Sequence, residues 1–402
     1  MRRFISRTFA VVVASALVPI GVSLATNSAG ASGTTNGRHH HAGQPTAFTV
    51  HVILSGSTLS HTYSPNGTGT PTTETLSDPD DITTLGGDIF TGFQNGVGPQ
   101  GQASTDGNLD STVVEFLPNG DPVAQWDVQG KTDGVTADPQ TGLVIATVNE
   151  DAKSSLYTIN PATGQIVHYA YNESLPHDGG TDAISVYRGQ ILISASAPGT
   201  TNNGVVPPRS PAVYSVVLDP TTNAAMVSPV FYDDDSATAA NTDASIGSTT
   251  TLALTDPDSN EVVPHGTRFG GDFVLDSQGD QEQIYVHNLG GRHQSLSVLS
   301  LSQSIDDTAW PSGSGRLYAT DSTNDAIDTI TGPFTPNQPV VAATPCGADS
   351  APMTCPGPGY SANYLASLDP STGVVSPITT VGAAFTPEGG LLYLPWGNDR
   401  SS

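Results

Sequence analysis

Residues 131–171, KTDGVTADPQTGLVIATVNEDAKSSLYTINPATGQIVHYAY, hold four short β-branched runs separated by turn chemistry. Val135–Ala137 follows Asp-Gly, and Leu143–Val148 follows Pro-Gln-Thr-Gly. Leu156–Ile159 follows a polar loop, and Ile166–Ala170 follows Asn-Pro-Ala-Thr-Gly. Repeated Pro and Gly break any helix through the stretch. Runs this short, with turns about every 8–12 residues, read as four antiparallel strands, A to D, of one β-propeller blade.

The rhythm recurs along the chain, which predicts an all-β fold with four-stranded antiparallel blades. The first blade opens at Pro79-Asp80-Asp81-Ile82, with GDIFTGF (87–93), STVVEF (111–116) and PVAQWDV (122–128) as its outer strands. Residues 131–171 are the second. The third opens at Thr181-Asp182-Ala183-Ile184 and continues with QILISAS, AVYSVVL and AAMVSPVF. The fourth holds strand A within LALTDPDSNEVVP (252–264), followed by GDFVLDS, EQIYVHN and LSVLSLS. The fifth opens at Ile305-Asp306-Asp307-Thr308, with RLYATD (316–321) as strand B. Its C–D pair reads either as AIDTIT with VVAATP or as YLASLD with GVVSPITT. AAFTPEGGLLYLP (383–395) reads as an A–B pair without outer strands. Such a ring must hide its edges, so the strand AFTVHVIL (47–54) is expected to close it from the other end. Six A–B pairs favour six blades; the spare hairpin leaves seven as the alternative.

The N-terminus carries Arg2, Arg3 and Arg7, then an apolar run to about Ala25, then Ser23-Leu24-Ala25 and Ala29-Gly30-Ala31. This is the layout of an export signal, with cleavage after Ala25 or Ala31. The expected organisation is a signal peptide over 1–31, a flexible leader over 32–46, one propeller over 47–395 and a tail over 396–402. The expected location is extracellular, with no membrane span left after cleavage. A retained N-terminal anchor is the alternative. Cys346 and Cys355 then read as a local disulfide. His39-His40-His41 sits in the leader, where solvated histidines or weak transition-metal binding are both open.

The formal net charge is −26. Loss of the three signal-peptide arginines takes it to −29, and the chain has two lysines, Lys131 and Lys153. Such a surface repels nucleic acid and anionic lipid and favours cations. A small molecule or extracellular partner is expected, and a monomer.

The strand-A openings align acids: Asp80-Asp81, Asp133-Gly134, Asp182-Ala183, Asp306-Asp307 and Glu388-Gly389, with Asp258-Ser259-Asn260-Glu261 in the fourth blade. Strand A lines a propeller's central channel, so these form a ring at one mouth. Clustered carboxylates either take up protons or hold a cation. With oxygen ligands alone, Ca²⁺ is the expected ion, Mg²⁺ or none the alternatives. The candidate ligands are Asp80, Asp133, Asp182, Asn260, Asp306 and Glu388. The other reading is that each Asp bonds its own turn or the next blade's backbone. Asp256-x-Asp258-x-Asn260 starts like a calcium loop without the Gly and distal Glu of an EF-hand.

The D–A and B–C loops share that mouth. They bring Asn95, Asn149, Glu150, Asp151, Asp178, Gln281 and Asp321 to the same face, where ligand contacts are expected. His177 is the candidate general acid or base, against the alternative of an exposed loop histidine. No Gly-x-Ser-x-Gly elbow, phosphate loop or His-Glu-x-x-His motif occurs.

The A–B units Asp133–Thr147, Asp307–Asp321 and Phe385–Tyr393 resemble the six-bladed propellers of the NHL-repeat and SMP-30/gluconolactonase type. In that family a divalent metal sits on the channel axis, held by Glu, Asn and Asp at inner-strand starts. The resemblance implies matching roles for Asp133 and Glu388. The family's Glu-Gly-Pro opening is absent, with Pro-Asp-Asp-Ile in its place. Three functions follow as expectations: a ligand-binding propeller with a Ca²⁺-type metal near the axis, a metal-dependent lactonase or esterase, and a metal-free interaction scaffold.

Overall fold

The computed structural model describes residues 47–176, 180–198, 209–241, 246–345 and 363–396, within the unit Gln44–Ser402. The signal peptide, the leader, His177, Asp178, Cys346 and Cys355 lie outside the described residues.

The described chain is all-β apart from 3₁₀ turns. It begins with β1 (Phe48–Ser55), then a hairpin of β2 (Ser60–Tyr63) and β3 (Thr72–Thr75) in a stretch expected to be loop. The first ladder is β4 (Pro79–Leu85), β5 (Asp88–Phe93), β6 (Asp110–Phe116) and β7 (Pro122–Gln129). The second is β8 (Thr132–Asp138), β9 (Leu143–Val148), β10 (Ser155–Asn160) and β11 (Gln165–Tyr171). The third is β12 (Ile184–Tyr187), β13 (Gln190–Ser194), β14 (Pro211–Asp219) and β15 (Ala224–Tyr232). A short parallel pairing of β11 with β15 joins the last two into one eight-stranded sheet. Two unforeseen strands follow, β16 (Ser236–Ala239) and β17 (Thr249–Thr251). They extend the fourth ladder of β18 (Pro257–Val262), β19 (Phe273–Ser277), β20 (Glu282–His287) and β21 (Ser295–Ser300).

The last strands interleave. β22 (Ile305–Ala309) does not pair with β23 (Gly315–Asp321), its expected strand B. It pairs with β25 (Val340–Ala343), which continues to β26 (Tyr364–Asp369) and β27 (Val374–Pro377). β23 instead lies between β24 (Ala326–Thr331) and β29 (Leu391–Pro395). Thus β29, expected as a strand B, is an inner strand. β1 pairs antiparallel with β24 as the outer strand of that ladder, and β28 (Thr380–Gly382) adds to β1 in parallel. The correction has a simple cause: RLYATD has the alternation of any second strand, and pattern alone does not choose its partner.

The inner strands touch in the order β4, β8, β12, β18, β22, β29 and back to β4, a propeller-like arrangement. Apolar clusters fill the gaps between ladders. Phe90, Trp126, Val135 and Tyr157 pack between the first two, and Tyr285, Val341 and Leu368 between the fourth and fifth. Phe93 and Ile82 meet Tyr318, Ile327 and Leu54 of the ladder that β1 completes. Fully burying each such side chain is worth about 1.5–3 kcal/mol.

One turn recurs on the outer hairpins. Gly142, Gly164 and Gly373 adopt φ of 71°, 70° and 75°. Their N–H groups donate to the carbonyls of Asp138, Asn160 and Asp369 at 2.8 Å. The Asp138 and Asp369 side chains also accept from the N–H two residues on, at 2.9 and 2.8 Å. The Asp/Asn-Pro-x-Thr-Gly pattern is thus an Asx turn closed by a left-handed residue.

Candidate functional site: the acidic mouth

A β-bulge opens the inner strands. Register shifts fall between Pro79 and Ile82, Thr132 and Val135, Pro257 and Asn260, and Ile305 and Thr308. The residues that the ladder register skips are Asp80-Asp81, Asp133-Gly134, Asp258-Ser259 and Asp306-Asp307. A bulge re-aims side chains that a regular ladder would alternate.

The second bulge residue staples its ladder to the next. The Asp81 carboxylate accepts from Val135 N–H at 2.7 Å, and that of Asp307 from Leu391 N–H at 2.6 Å. Ser259 Oγ donates to the Asp306 carbonyl at 2.6 Å. At Gly134 a Cβ would lie 2.7 Å from Ile184 N, so only glycine lets the strands approach. Burial, with the charge of Asp306 adding and the two backbone bonds opposing, pushes Asp81 up to about 7.

The first bulge residue belongs to the mouth. Asp80, Asp133, Asp258 and Asp306 hold equivalent positions, with Asp182 supplying the same place ahead of β12. Burial raises Asp80, Asp133, Asp182 and Asp258 well above the usual carboxylate range. The next cause is a neighbouring acid in each case: Asp133 for Asp80, Glu150 for Asp133 and Asp182, Asp306 for Asp258.

The fourth and last ladders depart from the sequence alignment. In β18 the ladder resumes at Asn260, so Asp258, two residues earlier, takes the mouth position expected for Asn260. Asn260 itself is 7% exposed. Its Nδ2 donates to the Ala183 carbonyl at 2.9 Å, while its Oδ1 has no hydrogen-bond partner among the described residues. In the ladder of β29 the mouth position falls to Gly389, whose N–H donates to Asp306 Oδ2 at 2.9 Å. Glu388 is exposed and accepts from Ser322 Oγ at 2.7 Å, outside the cluster. The bulges are the missing signal: counting back two residues from the first ladder residue finds Asp258 and excludes Glu388.

Donors are spread unevenly around the ring. Gln94 Nε2 donates to Asp80 Oδ2 at 2.7 Å and reaches Asp133 Oδ1 at 3.3 Å. Lys131 Nζ lies 3.1 Å from Asp133 Oδ1 and also bonds Glu150. Burial alone would lower Lys131; the charges of Asp133, Glu150 and Asp80 outweigh it and hold the ammonium well above its ordinary value. The carbonyls of Asp182 and Asp258 accept from Thr147 Oγ1 and Ser194 Oγ, but their carboxylates have no donor among the described residues. Below the mouth, Asp81, Ser185, Asn260, Glu261, Asp307 and Leu391 line a cavity of ≈ 250 Å³ to which all the inner strands contribute. Burial, then the charge of Asp307, raises Glu261 well above its usual range, and Trp310 Nε1 donates to it.

The other expected loop residues do local work. Asn95 and Asn149 are equivalent, both with positive φ (54° and 69°). Their Oδ1 atoms accept from Ser77 N–H at 3.1 Å and Lys131 N–H at 3.0 Å, tying each B–C loop to the preceding segment. Asp321 is buried and caps the 3₁₀ turn Ser322–Asn324. Asp151 is exposed, with its N–H on the Pro99 carbonyl, and the Gln281 carbonyl accepts from Leu301 N–H.

The oxygen chemistry of the mouth suits Ca²⁺, but the geometry does not. Ca²⁺ takes about 6–8 oxygens at about 2.3–2.6 Å. Gln94 and Lys131 put N–H donors on Asp80 and Asp133, where an ion would have to sit. Among the described residues no three His, Cys, Asp or Glu side chains converge to hold one. Among them, too, no helix is long and apolar enough to cross a membrane.

No protein-family model matches the chain, and no curated protein sequence matches it. Solved structures similar to it include the periplasmic gluconolactonase of Pseudomonas aeruginosa, at 11% identity over 86% of this chain and 99% of that one, TM-score 0.44. A functionally unknown protein from Desulfotomaculum acetoxidans matches at 11% identity over 87% and 99%, TM-score 0.42. The WD40 domain of Neurospora crassa Pan2 matches at 11% over 68% and 69%, TM-score 0.34. All three scores are below 0.5, so the description of this chain rests on its own strand pairing and mouth geometry.

Proposed function

We infer that this chain is an exported six-bladed β-propeller, closed by β1 as the outer strand of its last blade, that binds a ligand at its acidic mouth. The order of inner-strand contacts and the apolar cluster between β1's ladder and the first support the closed ring. The basic and apolar N-terminal sequence supports export. The observation that carries the binding reading is the placement of Asp80, Asp133, Asp258 and Asp306 at one bulge position in their inner strands, with Asp182 at the equivalent place ahead of β12, above a polar cavity. Gathering that much like charge opposes folding, and the bulges that aim it inward recur at the same place in strand after strand.

A thermal-shift screen of cations, sugars, lactones and peptides, run on the wild type and on Asp182→Asn, tests the reading. Hits that vanish in the variant locate the ligand at the mouth. Hits that persist unchanged place it elsewhere and overturn the reading. Lactone turnover that disappears in Asp133→Asn would replace binding by hydrolysis.

A further inference from the structure

We propose that the arc between the third and fourth ladders, Asp182 and Asp258 at the mouth with Asn260 in the cavity below them, receives an organic cation, a primary ammonium or guanidinium group, rather than a divalent metal. The proposal rests on the mouth being the binding site. The protein displays the chemistry on the adjoining arc, where the Lys131 ammonium sits between Asp133 and Glu150. Gln94 and Gly389 supply further N–H donors to Asp80, Asp133 and Asp306. Only the Asp182–Asp258 arc lacks such a donor among the described residues.

A second, independent feature lies in the same arc. Asn260 lines the cavity, is 7% exposed, and leaves Oδ1 without a hydrogen-bond partner among the described residues. Its Nδ2 is committed to Ala183, which fixes the amide and leaves Oδ1 as a positioned acceptor. A buried acceptor left unmade is unfavourable unless a donor arrives. An ammonium offers three N–H donors and a guanidinium five, in directions that spread over separated oxygens. A divalent ion instead needs its oxygens drawn to one point, which the carboxylates of the mouth do not do.

The test is isothermal titration of the full chain with cadaverine, agmatine, CaCl₂ and tetramethylammonium at constant ionic strength. Cadaverine and agmatine are expected to bind, and tetramethylammonium, which has no N–H, is not. Asp182→Asn and Asp258→Asn are each expected to weaken amine binding at least about tenfold, the loss of one charge-assisted hydrogen bond. Thermal midpoints at or above the wild type show that both variants fold. A blocked lysine-containing peptide that outcompetes cadaverine assigns the cation to a protein side chain; the reverse order assigns it to a free amine. Ca²⁺ binding that is lost in Asp258→Asn, without amine binding, overturns the organic cation and leaves the mouth as the site. Amine binding of equal strength in wild type and the double variant overturns the arc. No cation bound by the wild type removes both.

Discussion

Two basic side chains, each held between two carboxylates, sit in different parts of the fold and answer pH differently. At the mouth, Lys131 lies between Asp133 and Glu150. At the rim, His61 of β2 lies between Glu74 of β3, 3.0 Å from Nε2, and Asp127 of β7, 3.3 Å from Nδ1. Asn108 adds an amide at 2.8 Å from the same Glu74 oxygen, and Thr112 Oγ1 donates to Asp127 at 2.8 Å. Asp110 of β6 lies close enough to feel the His61 charge, and Tyr63 of β2 stacks on the ring. The rim is balanced, with donors on each acid. The mouth is not: one ammonium faces a ring of acids. A cation that fastens the β2–β3 hairpin can be titratable. One that offsets permanent repulsion at the axis has to stay charged, which an ammonium does across the physiological range and an imidazole does not.

Removing Lys131 should have the largest effect. Lys131→Met leaves Asp133 and Glu150 facing each other without a counter-charge, a loss of about 3–5 kcal/mol. For a domain of this size that is a fall of roughly 5 °C in thermal midpoint. The fall should be smaller at pH 5 than at pH 8, because Asp133 and its neighbours can take up protons. An equal fall at both pH values would mean that Lys131 acts through packing.

His61→Gln comes next, with a loss of about 2 kcal/mol as the charge-assisted bond to Glu74 and the ion-pair contact with Asp127 go. Limited proteolysis should then cut within the β2–β3 hairpin before the ladders. A hairpin as resistant as the wild type's would break the assignment of His61 as its fastener.

The pH profile is the third comparison. Burial alone would lower His61, but its bonds to Asp127 and Glu74 outweigh that and raise it above 6.5. A raised group stabilises fully below its unfolded value and loses the contribution as pH climbs through the folded one. His61 should therefore contribute below about pH 6.5 and fade above it. Asp81 and Asp276, each raised from 3.8 to about 7 mainly by burial, have the same sign over a lower window. Their contribution is present below 3.8 and lost by about pH 7. Thermal midpoints should fall from pH 5 to pH 8, and His61→Gln should flatten only the upper part. Lys131, raised from 10.5, should add no slope in this range. A midpoint that rises with pH over this interval would falsify the burial account of these acids.

The smallest effect belongs to Glu388→Gln. This exposed side chain touches neither cluster, so stability should change by less than about 0.5 kcal/mol, and the pH profile should not move. A shift like that of Asp258→Asn would return Glu388 to the ring.

Sequence alone was enough for the all-β class, the four-stranded rhythm and the glycine-closed turns at Pro139–Gly142 and Asn160–Gly164. Those depend on local chemistry: β-branched runs, prolines that end strands, and glycines where φ must be positive. It also placed Asp80, Asp133, Asp182 and Asp306 at one kind of position, because an acid before an inner strand recurs visibly. Three things were decided in tertiary structure. The partner of RLYATD was one, since two similar second strands compete for two inner strands and only packing separates them. The exchange of Asn260 for Asp258, and of Glu388 for Gly389, was another, because composition does not mark where an inner strand's ladder begins, and in β18 a bulge inserts one residue ahead of it. The last was the pairing of Lys131 and Gln94 with one arc of the mouth. Strand order brings those donors to Asp80 and Asp133 and leaves Asp182 and Asp258 open, and no spacing in the chain encodes which side of a ring a side chain will face.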